Sequence, residues 1–97
     1  MQKSDIPKNI PDQPGVYFFK KGTEILYIGK ATSLKDRVSS YFPGTKLGQE
    51  TLSQGRGPKI MKMLELAENI TWETADSVLE ALILETNLIK KYQPVYN

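Results

Sequence analysis

Residues 15–31 read GVYFFKKGTEILYIGKA, and this stretch decides which fold the rest of the chain completes. Residues 15–20 and 24–29 are rich in β-branched and aromatic side chains, which is typical of β-strands. A lysine–glycine–threonine sequence at residues 21–23 separates the two runs and predicts a hairpin turn. We therefore predict that residues 15–29 form two antiparallel strands.

The register of this hairpin determines where its two tyrosines lie. If the turn is centred on Gly22, Tyr17 lies opposite Tyr27 and Gly15 lies opposite Gly29, so both phenols project to one side of the sheet. The two glycines would then leave room for a ligand at one end of the pair. A two-residue turn would shift the register and separate the tyrosines.

The rest of the sequence predicts helices and one more strand around the hairpin. Helix-start residues, apolar residues at helical spacing and prolines mark the boundaries. The predicted segments are an extended lead-in over 1–13, a helix from Ser33 that Pro43 ends, a polar loop over 44–57, a helix from Pro58, a strand over 70–74 and a helix from Asp76 or Ser77 to about Tyr92. The order β-β-α-α-β-α predicts an α+β domain with a small three-stranded, mostly antiparallel sheet flanked by helices. It leaves the strand order open.

Length and composition are those of one globular domain. The chain has 97 residues, of which 39% are hydrophobic and 25% charged, so it forms one modest core. Because no apolar stretch follows Lys3, we expect no signal peptide, and the most apolar run, residues 81–84, is too short to span a bilayer. We expect a cytoplasmic protein.

The absence of cysteine and histidine restricts the possible chemistry. Without cysteine there is no disulfide, thiol nucleophile or thiolate zinc site. Without histidine, Ser-His and Cys-His nucleophilic pairs are excluded, as are the usual zinc sites. A bound metal would have oxygen ligands, which favours magnesium or manganese.

Charge is unevenly distributed, although the net charge is only +2. Between residues 14 and 63 there are nine basic residues and three acidic ones, whereas residues 64–89 contain six acids and no lysine or arginine. The basic part could contact a phosphate backbone and the acidic part could supply a metal ligand. The alternative is that both are solvated surfaces.

Tyr17 and Tyr27 are the first candidates for chemistry. A buried tyrosine is usually a packing residue whose hydroxyl finds a partner. Because tyrosine titrates near pH 10, it acts as a general base only where cations stabilise its phenolate. Lys30, Arg37 or a divalent metal could provide that positive charge.

Arg37 lies on the apolar stripe of the first predicted helix. An arginine on such a stripe pairs with an anion or extends its head into water. Its partner is either an acid such as Asp36 or Glu80, or a phosphate clamped by the planar guanidinium. The pattern does not decide between these.

Glu80 has two interpretations. Its position three residues after Ser77 fits a capping box at the helix start. Alternatively, its carboxylate holds a divalent ion. Glu85 and Asn87, in the same helix, are interpreted as structural or surface residues, and Trp72 as a core residue.

Basic residues near the polar loop could follow a nucleic-acid backbone, although a solvated loop is an equal alternative. The candidates for DNA contact are Lys35, Lys46, Arg56 and Lys59.

Taken together, these motifs strongly resemble those of the GIY-YIG nuclease superfamily. The matching elements are Gly-Val-Tyr at 15–17, Tyr-Ile-Gly-Lys-Ala at 27–31, then Leu34, Arg37 and Tyr41-Phe42, and later Glu80-Ala81-Leu82, Glu85, the run 87–92, Pro94 and Tyr96-Asn97. The combination is most similar to the amino-terminal nuclease domain of the UvrC family of excinucleases, which acts in bacterial nucleotide excision repair. It covers the chain from Pro14 to Asn97, as part of a longer protein.

The resemblance implies hydrolysis of a DNA phosphodiester bond with one divalent metal ion, Mg²⁺ or Mn²⁺. It implies that Tyr27 is the general base, that Tyr17 positions the water or the phosphate, and that Arg37 binds the phosphate. It makes Glu80 the metal ligand. Lys30 and Tyr41 match further polar members of the site, and Asn97 matches a terminal asparagine motif.

For the whole protein, the resemblance implies incision of damaged double-stranded DNA on the 3′ side of a lesion, after a UvrB-like helicase partner has loaded. Two alternatives remain open. One is a stand-alone or mobile-element nuclease with the same site. The other is a non-catalytic module that binds nucleic acid or docks another protein.

Overall fold

The structure is a computed structural model that describes residues 1–42 and 57–97. A three-residue 3-10 helix, Lys3–Asp5, precedes the first strand. The sheet and helices that follow are β1 (Gly15–Lys21), β2 (Glu24–Ala31), α1 (Leu34–Ser39), α2 (Gly57–Leu66), β3 (Asn69–Thr74) and α3 (Val78–Tyr92). The predicted α+β class and element order are confirmed, while the lead-in contains a helical turn that the prolines did not predict.

The three strands form one antiparallel sheet in the order β2-β1-β3. β1 is the central strand, so its side chains pack on both faces. The sequence could not give this order, because a hairpin followed by a third strand allows β3 to pair with either edge.

Each face of the sheet has its own apolar cluster. On one face, Tyr17 and Phe19 of β1 pack with residues of α1 and α2, including Leu34, Val38 and Met63. Trp72 packs against the edge of this cluster, as predicted for a core residue. The other face carries a smaller cluster, Val16, Phe18 and Ile28, against which Leu84, Leu88 and Ile89 of α3 pack.

Local side-chain hydrogen bonds fix the starts of two helices. The Ser33 hydroxyl accepts from the Asp36 amide at the start of α1, and the Ser77 hydroxyl accepts from the Glu80 amide at the start of α3. These are N-caps, which satisfy amides that have no partner within the helix. Pro58 lies in the first turn of α2, as predicted.

α3 ends at Gln93, whose φ of 44° places it in the left-handed region, and Pro94 follows. No helix in the described parts of the chain combines the length and the apolar character needed to cross a membrane. The predicted end of the first helix at Pro43 and the predicted loop at 44–57 lie outside the described residues, except for Gly57.

Candidate active site

A bulge in the hairpin places Tyr17 and Tyr27 on one face of the sheet. Lys21 pairs with Glu24, so the turn contains only two residues. The register then shifts between Lys20 and Phe19, and Phe19 lies opposite Tyr27. The predicted register, with Tyr17 opposite Tyr27, is therefore wrong.

Tyr17 and Tyr27 nevertheless lie on the same face of the sheet, because of a bulge that the sequence did not show. A two-residue turn alone would place Tyr27 opposite Phe18, on the α3 face of the sheet. The additional residue in β2 restores the alternation, so that Tyr17 lies opposite Gly29. The Tyr17 and Tyr27 ring centroids are 6.4 Å apart.

The two glycines of the hairpin leave no room for a ligand. A Cβ atom on Gly29 would overlap the phenol ring of Tyr17. A Cβ atom on Gly15 would overlap the main-chain oxygen of Glu73 and approach Leu34. The space beside both glycines is filled by the protein itself, which corrects the prediction made from the sequence.

Tyr41 joins the two hairpin tyrosines in a cluster of three phenols. The hydroxyls of Tyr17 and Tyr41 share a hydrogen bond of 2.6 Å, and each side chain is 1% exposed. The Tyr27 hydroxyl also interacts with Tyr41, and its side chain is only half-buried. We call Tyr17, Tyr27 and Tyr41 the phenol cluster. Tyr27 is the member of this cluster that is open to solvent.

Burial raises the pKa values of Tyr17 and Tyr27 above the ordinary value for tyrosine. It raises the pKa of Tyr27 to about 12, a rise to which Tyr41 and Glu85 contribute and which Arg37 opposes. Burial also raises the pKa of Tyr17, against the effects of Tyr41 and Arg37. Arg37 lowers the pKa of Tyr27, as predicted for a nearby cation. Burial raises that pKa by more, so Arg37 alone does not stabilise the phenolate.

Arg37 lies at the edge of the phenol cluster, with its side chain exposed to solvent. Leu34 and Val38 of the same helix are fully buried, so Arg37 extends from the apolar stripe into water. Its interaction with the Tyr17 hydroxyl is the main cause that raises the pKa of Arg37. Phenols, rather than the carboxylates of Asp36 or Glu80, are the groups that shift it.

Beside the phenol cluster is a cavity of about 290 Å³ with a basic lining. Lys30 and Arg37 provide its positive charge, and Val78 and Ala81 of α3 form the opposite wall. The cavity brings together the two cations that the sequence singled out. A phosphate group fits this combination of charge and guanidinium geometry.

Glu80 is not part of this arrangement. Its carboxylate accepts a hydrogen bond of 3.0 Å from the Asp76 amide, and its own amide donates to Ser77. It is exposed and lines a different cavity, with Thr74 and Ile83. The structure thus supports the capping interpretation of Glu80, and its role as a metal ligand stays a prediction.

Glu85 is a carboxylate of α3 whose charge acts on the phenol of Tyr27. Its negative charge contributes to the raised pKa of Tyr27, and its side chain is half-buried. Five residues separate it from Glu80, which corresponds to about 140° around the helix axis. The signal for Glu85 in the sequence is its spacing, because it follows Ala81, the buried residue of α3, by one helical turn.

The Asn97 side chain makes two hydrogen bonds to the outer edge of β2. Its side-chain oxygen accepts from the Ile28 amide, and its side-chain nitrogen donates to the Ile28 carbonyl oxygen, both at 2.8 Å. The Tyr96 amide donates to the Leu26 carbonyl oxygen at 3.1 Å. These bonds lie on either side of Tyr27 in the sequence, so they hold the segment of β2 that carries Tyr27.

The remaining candidates have other contacts or lie outside the described residues. Lys35 lies beside a cavity formed with the lead-in residues Ile6 and Ile10. The Lys59 ammonium group donates to the main-chain oxygen of Asn97 at 3.3 Å. Lys46 and Arg56 lie outside the described residues. Asn87 is exposed and shares the Glu80 cavity, in keeping with a surface role.

Comparison with known proteins finds relatives along almost the whole chain. The family model for the UvrC-like GIY-YIG domain matches residues 13–97. UvrABC system protein C of Clostridium botulinum is 47% identical over 91 residues, and that of Clostridium acetobutylicum is 45% identical. In each case the match covers 93% of this chain and 13% of the relative.

A solved structure also resembles the whole fold. The GIY-YIG N-terminal endonuclease domain of UvrC from Thermotoga maritima, bound to magnesium as its catalytic divalent cation, is 37% identical with a TM-score of 0.73. The match covers 92% of this chain and 88% of that one. Three further structures of that domain each replace one tyrosine by phenylalanine. The substituted positions are ten and fourteen residues apart, the separations of Tyr17, Tyr27 and Tyr41 here.

The family match covers almost the entire chain, and the relatives exceed 40% identity over most of it. The chain therefore belongs to the family of UvrC-like GIY-YIG endonuclease domains.

Proposed function

We propose that this domain hydrolyses one phosphodiester bond of damaged double-stranded DNA, as the 3′ incision of bacterial nucleotide excision repair. The chain spans 13% of the length of the curated relatives, so we also propose that it is the nuclease domain of a longer cytoplasmic protein. A UvrB-like helicase is the proposed partner of that protein. The name of the relatives, UvrABC system protein C, supports this assignment.

The phenol cluster is the observation that carries the proposal. In a chain without histidine or cysteine, it is the site where groups able to hold or move protons meet a guanidinium group. The Tyr17–Tyr41 hydrogen bond fixes two members, and the half-exposed Tyr27 can reach a water molecule. Such an arrangement suits hydrolysis better than a role in packing alone.

The number and placement of the acidic side chains suit a site for one magnesium-like cation. The described parts of the chain contain no group of three acidic side chains that could hold a metal ion by themselves. Magnesium needs no such group, because it retains waters and binds through one or two carboxylates together with substrate phosphates. We propose Glu85 as the protein ligand for Mg²⁺ or Mn²⁺, since its charge acts on Tyr27 whereas Glu80 caps α3.

Tyr27 is the proposed group that takes the proton of the attacking water at its phenol oxygen. With a pKa of about 12 it first has to lose its own proton. Arg37 lowers that pKa and so favours the phenolate. A bound divalent cation supplies further positive charge, which favours the phenolate and neutralises the phosphate.

The neighbouring residues orient these groups. Tyr17 and Tyr41 share a hydrogen bond through their hydroxyls, and the Tyr17 hydroxyl also interacts with Arg37. Lys30 and Arg37 are proposed to bind the non-bridging phosphate oxygens from the basic cavity. Asn97 positions β2, and therefore Tyr27, through Ile28.

The test is incision of a duplex that carries one defined lesion, with the UvrA-like and UvrB-like partner proteins present. We expect one nick on the 3′ side that requires Mg²⁺ or Mn²⁺ and is abolished by Tyr27→Phe. The same duplex without the lesion is the control. Absence of metal-dependent nicking in the complete reaction would instead favour a non-catalytic docking module, and nicking of undamaged DNA would favour a stand-alone nuclease.

A further inference from the structure

The first half of α3 carries an apolar strip that faces away from the sheet. Leu79 is 65% exposed, Leu82 42% and Ile83 52%. The positions i, i+3 and i+4 place these side chains next to one another on one helix face. Ala81, between them in the sequence, points the other way and is buried. Large apolar side chains grouped in this manner are typical of interaction surfaces.

One acidic residue, Glu80, borders this strip. Glu80 lines a cavity of about 280 Å³ together with Ile83, Leu84 and Thr74. We define the α3 surface as Leu79, Leu82, Ile83 and Glu80, with the cavity beside Ile83.

The charge of the α3 surface disfavours DNA as its ligand. The basic cavity with Lys30 and Arg37 lies along the flank of α3 that carries Val78 and Ala81. Glu80 projects about 100° away from Ala81 around the helix axis. A phosphate backbone is therefore attracted to one flank of α3 and repelled from the other, which leaves the α3 surface for a positively charged polypeptide.

We infer that the α3 surface docks an amphipathic helix of a partner protein. The apolar stripe of that helix covers Leu79, Leu82 and Ile83, and a lysine or arginine beside the stripe pairs with Glu80. Helices recognised in this way present anchors at i, i+3, i+4 and i+7. The inference uses none of the residues assigned to hydrolysis, so it stands or fails separately from the proposed function.

The test titrates the isotope-labelled domain with a synthetic helical peptide that carries leucines at i, i+3, i+4 and i+7 between lysines. We expect saturable NMR shifts confined to amides near residues 79–87. The double variant Leu79→Ser/Ile83→Ser should weaken binding by about tenfold or more, which corresponds to about 1.4 kcal/mol. Glu80→Gln, which retains an oxygen for the cap, should weaken binding most at low salt.

Val95→Ser is the matched control, because Val95 is also 65% exposed but lies beyond the opposite end of α3. It should leave the affinity unchanged. Equal binding of a peptide with glutamates in place of its lysines would overturn the inference. So would shifts of the same amides by duplex DNA, or a dimer of the domain that Leu79→Ser dissociates, since a second copy would then be the occupant.

Discussion

The phenol ring of Tyr17 lies against the backbone of Gly29, the residue opposite it on β2. The absence of a side chain at Gly29 thus allows Tyr17 to lie flat on the strand and to reach Tyr41. Gly29, in the Tyr-Ile-Gly sequence, therefore leaves the space that the ring of Tyr17, in the Gly-Val-Tyr sequence, occupies. The two halves of the hairpin motif are coupled by this contact.

Gly29→Ala should displace the Tyr17 ring and break its 2.6 Å hydrogen bond with Tyr41. We expect a loss of about 1–3 kcal/mol in the free energy of unfolding, as for other overpacked sites, together with loss of nicking. Chemical denaturation measures the first. In a Tyr17→Ala background the same glycine substitution should cost much less, and equal costs in both backgrounds would contradict the contact.

Glu85→Gln should abolish metal-dependent nicking and weaken binding of Mn²⁺ measured by calorimetry, because the proposed ligand loses its charge. Glu80→Gln is the matched control on the same helix and should retain both. Glu80→Ala should instead lower stability by about 1 kcal/mol through loss of the cap. Loss of metal binding in Glu80→Gln with Glu85→Gln unaffected would restore Glu80 as the ligand.

Asn97→Ala should expose the Ile28 amide, because the Asn97 side-chain oxygen is its hydrogen-bond partner. Hydrogen exchange at Ile28 should accelerate, while the Tyr96 amide, bonded to Leu26, should change less. Asn97→Asp should be at least as disruptive, since a carboxylate oxygen would face the Ile28 carbonyl oxygen. Unchanged exchange at Ile28 with loss of nicking would indicate that Asn97 acts directly on the substrate.

Stability should decline above pH 10. Because burial raises the pKa of Tyr17 and that of Tyr27 to about 12, the folded protein retains protons that the unfolded chain loses near pH 10. Stability conferred by these phenols is complete below pH 10 and is lost as the pH rises towards 12. Thermal unfolding between pH 8 and 11, with tyrosinate absorbance as a second signal, measures this. Tyr17→Phe should flatten the profile, and an unchanged profile in that variant would contradict the shift for Tyr17.

Local patterns predicted local structure well. The aromatic runs, Ser33, Pro58 and Ser77 marked strands and helix starts close to their observed positions, because caps and prolines act within one turn. Strand order was not predictable, since it depends on contacts between segments far apart in the sequence. The bulge beyond Lys20 also left no pattern that distinguishes it from regular pairing.

The site was predicted best where it rests on the hairpin and α1, and least well on α3. Tyr17, Tyr27, Tyr41 and Arg37 are brought together. On α3 the motif offered two glutamates, and only the direction in which each side chain points distinguishes them. That direction follows from how α3 packs on the sheet, with Ala81 inward and Glu80 at the cap.

Because of the bulge, the face on which Tyr27 lies depends on whether the number of residues between Phe19 and Tyr27 is odd or even. Strand side chains alternate with a period of two, and the odd residue in β2 cancels the offset that the two-residue turn introduces. An insertion or deletion of one residue between Phe19 and Tyr27 would turn Tyr27 to the α3 face, whereas a change of two would keep it beside Tyr17. A change of one residue in the length of this turn should therefore move Tyr27 to the other face unless a second bulge compensates for it.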